Sequence, residues 1–564
     1  MNKAKWPAFW FLLPAALLFI IFFYWPLLQN LYLSFFSWNM ISPTMKYVGL
    51  SNYIDILGSK ELYKIIGNTV IFVLIMLLFN FVLPYFYSFI LGHLLQRGKM
   101  FYRSVLFLPA TLSLAVASIL FLWIYNPLAG PLSIVLAWFD IESPRWFKEN
   151  LLVIFSICTI IGWKVFGYNL IVMLAAMVAV PREMIEAAKL ENASNWTIFR
   201  RIIIPMTSST AIYVFTITVV FGLQYVLVPV NMLTQGGPDQ GSSNLVYIVY
   251  QYGFIFFQTG KSAAFAIITM FCYMAFLYLK KNIWRKKFIM RTKTHQDLCW
   301  HLPLLVAVFI QLWPIVFMVS TSLKDMDQIF QATLNPLPLP PTLNNYLTVL
   351  GNFPLFTYIY NTFFIAVFVT VFKVLTSVLA AFAFIYYDFK YKETVFNSML
   401  LTFFIPITVL IMPNYLLMSR LDLLNTPWGV MLPQFVDGMG VFLMRQTMRG
   451  IPKPLLEAAV LDNAGPLQVL HKVVLPLIKP SIIAVGILFF INSWNEYFWP
   501  LLVLQDKETY TLPLALQMFI SAEGGSEWGI AMAVATLTSL PPLALYLVCQ
   551  KFILNTFMQS GVKG

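Results

Sequence analysis

Long runs without a charge set the pattern of this chain. No Asp, Glu, Lys or Arg occurs from Trp6 to Met45, Ile65 to Gln96, Ser104 to Phe139, Ile202 to Pro238, Leu298 to Leu323 or Gln328 to Phe372. A helix needs roughly 20 apolar residues to cross a bilayer, and each run can hold one. Lipid cannot satisfy an open backbone, so the spans are expected to be helices. Twelve are predicted. Six lie near Phe9–Leu31, Thr69–Leu94, Ser104–Tyr125, Leu152–Val180, Ile204–Asn231 and Ser262–Tyr278, and six near Trp300–Ser320, Asn361–Tyr386, Thr394–Met418, Trp428–Met444, Pro480–Leu504 and Ile530–Val548. The least regular is Trp428–Met444, which contains Asp437 and three glycines.

Composition agrees with this pattern. The 564 residues are 60% hydrophobic and 10% charged, against about 25% charged in soluble domains. A net charge of +13 invites a nucleic-acid reading, but its distribution gives a topology. With the N-terminus inside, 25 of the 36 Lys and Arg fall on inside segments, nine fall outside, and Lys164 and Lys373 lie within spans. This bias places both termini inside, and no clustered basic face on a soluble module is left for nucleic acid. The N-terminal apolar run continues to about Phe36 with no small-residue cleavage site, so it reads as an uncleaved first span. Cys158, Cys272, Cys299 and Cys549 lack metal-ligand spacing and read as small buried apolar residues.

The chain repeats itself. Pro181, Glu186, Ala187, Ala188, Asn192 and Pro205 match Pro452, Glu457, Ala458, Ala459, Asn463 and Pro476 at a constant offset of 271. Upstream, Asn52-Tyr53 matches Asn345-Tyr346 at 293, and the longer outside loop Asn126–Asn150 accounts for the difference. Two halves with the same even number of spans have the same orientation, as parallel repeats. The expected fold is all-α, a polytopic membrane protein of two tandem six-helix repeats, 1–290 and 291–564, with the seam in the basic segment Lys280–Gln296.

After the fourth span of each half comes an inside segment, PREMIEAAKLENASNWTIFRRIIIP (181–205) and PKPLLEAAVLDNAGPLQVLHKVVLP (452–476). Each predicts a short helix, a break, and a second short helix leading into the next span. Pro181 and Pro452 suit a first helical position, and Glu183 and Glu186 complement a helix N-terminus. Asn192 and Asn463 stand where the helix must turn, and Asn tolerates left-handed geometry. The Ala pairs leave room for another surface to approach.

These segments resemble the EAA loop of ABC importer permeases of the carbohydrate-uptake group. The resemblance runs along the whole chain. WPLLQNLYLSFFSW, VGLSNY, FLPATLS, GWKVFGYNL and LTQGGP are similar to one subunit of the sugar and glycerol-3-phosphate importers. STSLKD, NNYLTVL, NTFFIAV, FLMRQTMRGIPKPLLEAA, SWNEYFWPL and the tail SGVKG are similar to its partner subunit. One departure stands out: the family's usual Gly at the loop turn is Asn in both halves.

The resemblance implies a permease of the bacterial cell membrane, with both permease subunits in one chain. It implies that Glu186, Ala187, Ala188 and Asn192, and Glu457, Ala458, Ala459 and Asn463, dock onto two ATP-binding cassette subunits, and that an extracytoplasmic solute-binding protein delivers the solute. It also implies a cavity between the fourth and fifth spans of the halves, lined by Lys164, Tyr168, Gln224, Tyr225, Asn495 and Glu496. Ionisable groups in spans are costly and therefore candidates for function; the plainer alternative pairs Lys164 and Glu496 with backbone or with each other. Asp437 and Lys373 have no role assigned by sequence. No P-loop is present, since the decoy Gly260-Lys261-Ser262 has Ile255 where the first Gly is required. The chain is therefore expected to be a transport subunit without catalytic residues, cofactor or metal, ATP being bound by its partners. A sugar is the expected cargo, with glycerol-3-phosphate as an alternative. A secondary carrier is a weaker rival, which the twin loops oppose. A membrane enzyme acting on lipid-linked substrates is another, for which no paired catalytic groups are found at one membrane face.

Overall fold

A computed structural model describes residues 5–95, 97–283, 298–331, 334–519 and 527–560. Its described residues are helical apart from loops and one antiparallel pair of two-residue strands, Phe36–Ser37 with Lys46–Tyr47. Among them, nine helices are long and apolar enough to cross a membrane. They are Ala8–Leu33, Lys60–Leu94, Leu152–Val178, Ser208–Thr234 and Thr259–Phe276, then Trp300–Ser322, Leu355–Tyr386, Pro466–Trp494 and Trp528–Gln550. They are the first, second, fourth to eighth, eleventh and twelfth spans.

The third and ninth spans depart from straight helices. Each is a pair of arms bent by 98°, Lys99–Thr111 with Leu114–Ile124 and Lys392–Phe404 with Thr408–Arg420. The bends have local causes. Pro109 and Pro406 lack an N–H, a tight 3₁₀ turn closes each first arm, and Leu112, Ser113 and Ile405 are extended. Ser113 Oγ then accepts the Val116 N–H at 3.0 Å, capping the second arm. The expected span Trp428–Met444 is corrected too. It consists of Pro427–Met431, a 3₁₀ turn and Gly438–Arg449, with the break at Phe435–Asp437. Asp437 is extended there, and its carboxylate accepts the N–H groups of Met439 (2.8 Å) and Gly440 (3.0 Å). The polar residue that made this stretch irregular in sequence is the N-cap of its second helix.

The fourth and fifth spans are the most buried and form the centre; the first and second lie outermost. Lipid offers no hydrophobic drive for helix association, so close packing must supply it, and small residues permit it. A Cβ at Gly167 would stand 2.0 Å from Leu106 O, and one at Gly440 would stand 2.4 Å from Ser377 Oγ. Of the cysteines, Cys158 is buried as expected, whereas Cys272 lies on an exposed face of the sixth span.

The halves exchange contacts reciprocally. The first span packs on the eighth, with Phe11 edge-on to Phe382 at 5.0 Å, and on the ninth, whose Asn414 amide donates to Phe22 O at 3.2 Å. In return, the seventh and twelfth spans pack on the first half. Trp163 Nε1 donates to Gln311 O at 3.1 Å, and the Tyr546 hydroxyl to Ser104 O at 3.0 Å. The seam, with its 290/291 boundary, lies largely outside the described residues. The short helix Pro131–Ala137 sits in the longer loop that separates the two repeat offsets.

Candidate functional site

The two loops repeat in backbone as they do in sequence. Arg182–Leu190 and Lys453–Leu461 are helices of the same length at offset 271, each preceded by its proline in extended geometry, one position earlier than expected. Both end the same way. Asn192 and Asn463 each stand at φ +57°. Ala193 N–H donates to Ala188 O at 2.9 Å, and Ala464 N–H to Ala459 O at 3.0 Å. These are the wrap-round bonds of a left-handed helix cap, which satisfy carbonyls that a helix end otherwise leaves open. Asn thus serves the geometry the family meets with Gly. The second short helices, Asn195–Ile198 and Pro466–Val469, then widen into π-type turns, Phe199–Ile203 and Leu470–Val474, also at offset 271. Ser194 Oγ caps the first by accepting the Thr197 N–H at 3.2 Å; in the second, the Gln468 side chain accepts the Gly465 N–H at 3.1 Å.

Glu186, Ala187 and Asn192 are exposed, as are Glu457, Ala458 and Asn463, while Ala188 and Ala459 are half-buried against the bundle. Each helix therefore shows a matching carboxylate and a small residue outward, and the first exposes Glu183 as well. Sequence reasoning missed the leucine at each helix end. Leu190 and Leu461 are 86% and 82% exposed, an apolar tip on a polar surface. Their own match at offset 271 was the signal that could have found them.

The six residues expected to line a pathway are all half-buried. Lys164 donates from Nζ to Ala110 O at 3.1 Å and also to Leu112 O. Asn495, from the other half, donates from Nδ2 to Thr111 O at 2.7 Å. Both therefore hold the carbonyls freed at the bend of the third span. Tyr168 and Tyr213 are hydrogen-bonded through their phenols; Tyr213 was not singled out by sequence. Tyr225 lies within electrostatic reach of Glu496 and stacks on Phe221, which meets Phe403 of the other half edge-on at 4.9 Å. The Gln224 side chain makes no hydrogen bond among the described residues. Glu496 Oε1 accepts the Trp499 N–H at 3.3 Å. Lys373, unassigned by sequence, pairs with Asp437 at 3.8 Å and lies over the Phe489 ring. At the bend, Lys164 and Asn495 are thus committed to backbone carbonyls, while Tyr225 and Lys373, the latter paired with Asp437, both lie within electrostatic reach of Glu496.

Residues 87–289 and 373–555 each match the family described as binding-protein-dependent transport system inner membrane component. The arabinooligosaccharides transport system permease protein AraQ of Halalkalibacterium halodurans is 31% identical over 280 residues, 49% of this chain and 100% of the relative. The sn-glycerol-3-phosphate transport system permease protein UgpE of Pectobacterium atrosepticum is 31% identical over 47% of this chain and 96% of its own length. A solved bacterial ABC transporter involved in import of the acidic polysaccharide alginate aligns with TM-score 0.42 and 25% identity, over 45% of this chain and 95% of that one.

Proposed function

The chain belongs to the inner membrane components of binding-protein-dependent transport systems and carries that module twice, and from this we propose that it forms the complete translocation pathway of an ATP-driven importer of neutral oligosaccharides. Residues 1–290 supply one wall and 291–564 the other. The helices Arg182–Leu190 and Lys453–Leu461 dock in two ATP-binding subunits, with Glu186, Ala187, Ala188 and Asn192 on one and Glu457, Ala458, Ala459 and Asn463 on the other. ATP is bound by those subunits. Both loops and both termini are cytoplasmic, on the side favoured by the Lys and Arg distribution. A solute-binding protein delivers the cargo to the opposite face. Closure of the ATP-bound dimer draws the loops together and turns the pathway outward, and hydrolysis resets it.

The observation that carries the docking reading is the duplication of one exposed helix-and-cap geometry at offset 271. A two-fold ATPase dimer needs two such handles. Replacing Glu186 and Glu457 together by Ala is expected to lower solute-stimulated ATPase activity at least tenfold, with the permease still inserted. Unchanged stimulation by the double variant would sink the assignment.

For the cargo, Tyr168, Gln224, Tyr225 and Glu496 line the pathway, while Lys164 and Asn495 build its wall. Rings stack on the apolar faces of sugars, and amides and carboxylates bond their hydroxyls. The UgpE relatives favour a second reading, glycerol-3-phosphate. Against it stand the Glu496 carboxylate and the engagement of Lys164 and Lys373, which leave a phosphate facing a like charge. ATPase stimulation in proteoliposomes by binding proteins loaded with a neutral oligosaccharide or with glycerol-3-phosphate separates the two.

A further inference from the structure

The repeated Asn-Tyr pair does not touch the pathway, and it recurs in structure as in sequence. Each pair lies on a short helix at the end of a half's first span, Ser51–Leu57 and Asn344–Asn352. Asn52 Nδ2 donates to Ser34 O (2.8 Å) and Phe36 O (2.9 Å), and Asn345 Nδ2 to Ser322 O (3.0 Å) and Lys324 O (2.9 Å). The amides thus take up carbonyls at the ends of the first and seventh spans. Beside them, the Tyr53 and Tyr346 hydroxyls each bond a serine hydroxyl, Ser34 and Ser322, at 2.7 Å. A glycine of the last span of each half closes on each asparagine. A Cβ at Gly260 would meet Asn52 Nδ2 at 2.9 Å, and one at Gly529 would meet Asn345 Oδ1 at 2.5 Å.

This pinning fixes which face of each short helix looks away from the protein. On the first, Leu50, Ile54 and Leu57 are exposed; on the second, Leu343, Leu347 and Leu350. The two stripes have the same i, i+4, i+7 spacing, and each residue matches its counterpart at offset 293. They do not stop at the helix ends. Tyr63 and Phe356, also 293 apart, are 67% and 77% exposed. The stripes run on into the outward faces of the second and eighth spans, Val70 and Leu74 on one, Phe363 and Val371 on the other. Below the first helix, Leu50 and Tyr53 roof an apolar groove of about 520 Å³, walled by Leu31 and Phe35 of the first-span end and by Phe271 and Cys272 of the sixth span.

We propose that these two short helices are interfacial anchors whose apolar stripes rest on bilayer lipid, with an acyl chain lying in the groove beneath the first. Continuity decides the occupant. Across the short polar links 58–60 and 351–352 the stripes continue onto a lipid-facing surface, and an aromatic ring stands at each junction, where membrane–water boundaries favour one. A short helix with one apolar face lies in such a boundary rather than across it. The anchors hold the corner between first and second spans at constant depth while the inner spans move, and their duplication does so on both halves.

The test uses the full chain in complex with its ATP-binding subunits, in nanodiscs of phosphatidylethanolamine and phosphatidylglycerol. Native cysteines are replaced, and a nitroxide is placed by I54C or L347C, with K46C and V70C as water and lipid references. Molecular oxygen and a neutral nickel chelate compete as relaxing agents. At both stripe sites the oxygen-to-nickel ratio is expected to fall near the V70C value, several-fold above K46C, and to stay there when solute-binding protein is added. A K46C-like ratio at either site overturns the proposal. So does nickel protection that appears only with the binding protein, which assigns the surface to protein docking. In the N52A background the I54C spectrum is expected to gain a mobile component; the ratios in the otherwise unaltered chain stand whether or not that variant folds.

Discussion

At Asn192 and Asn463 the backbone stands at φ +57°, a region that costs a β-branched residue roughly 1–2 kcal/mol or more and costs Gly nothing. Replacing both by Gly is therefore expected to leave ATPase coupling intact, while Asn192→Val with Asn463→Val loosens both caps. Co-purification of the ATP-binding subunits, retained in the first variant and reduced several-fold in the second, checks this. Lys164 makes a different demand. Lys164→Met leaves Ala110 O and Leu112 O without their donor, at about 1–3 kcal/mol for buried groups left open. A lower thermal midpoint of the detergent-solubilised chain, beside lost uptake, is the expected result; a wall residue should show both. The asparagine turns were legible in sequence because left-handed geometry restricts residue choice. The work of Lys164 was not, because its partners are backbone carbonyls, which carry no sequence signature. Lys373 was opaque for a related reason: Asp437 is 64 positions away on an element whose break was itself unseen.

Among the elements, the straight spans were readable from charge-free length alone, since twenty apolar residues admit few other fates. The 98° bends were not. Hydropathy is blind to direction, and Pro109 and Pro406 sit in runs as apolar as any other. The bend of the third span also depends on a neighbour. Gly167 of the fourth span lies against Leu106 and Phe107, so Gly167→Ala would drive a methyl to within 2.0 Å of Leu106 O. Overpacking of this kind costs typically about 1–3 kcal/mol or more, and membrane-inserted yield is expected to fall sharply. Gly486→Ala is the control. Its Cβ would have no neighbour nearer than 3.8 Å, and Ala suits a helix better than Gly by roughly 1 kcal/mol, so yield should hold or rise. Equal losses in both variants, measured by fluorescence-detected gel filtration, would show that helix glycines here act through flexibility and not through packing.

For the whole molecule, the internal repeat gave the architecture, and two offsets told where the halves differ. What the repeat could not show was how far the halves exchange contacts, because side-chain pairing between distant spans leaves no periodic trace. Those contacts are non-covalent, so the chain should tolerate division. Residues 1–290 and 291–564 made as separate polypeptides are expected to restore uptake when co-expressed, and neither should accumulate alone; uptake from a single half in a strain lacking the intact chain would contradict this arrangement.

The packing of Phe11 on Phe382 has a consequence in time. A ribosome moving at about 5–20 residues per second needs on the order of tens of seconds to pass from one to the other, and for that interval the first helix to enter the bilayer has lipid where its protein neighbour will be. Separate subunits would leave the meeting to diffusion in the membrane. Tethering makes it an intramolecular search, with the missing neighbour certain to arrive at the same place and in equal number.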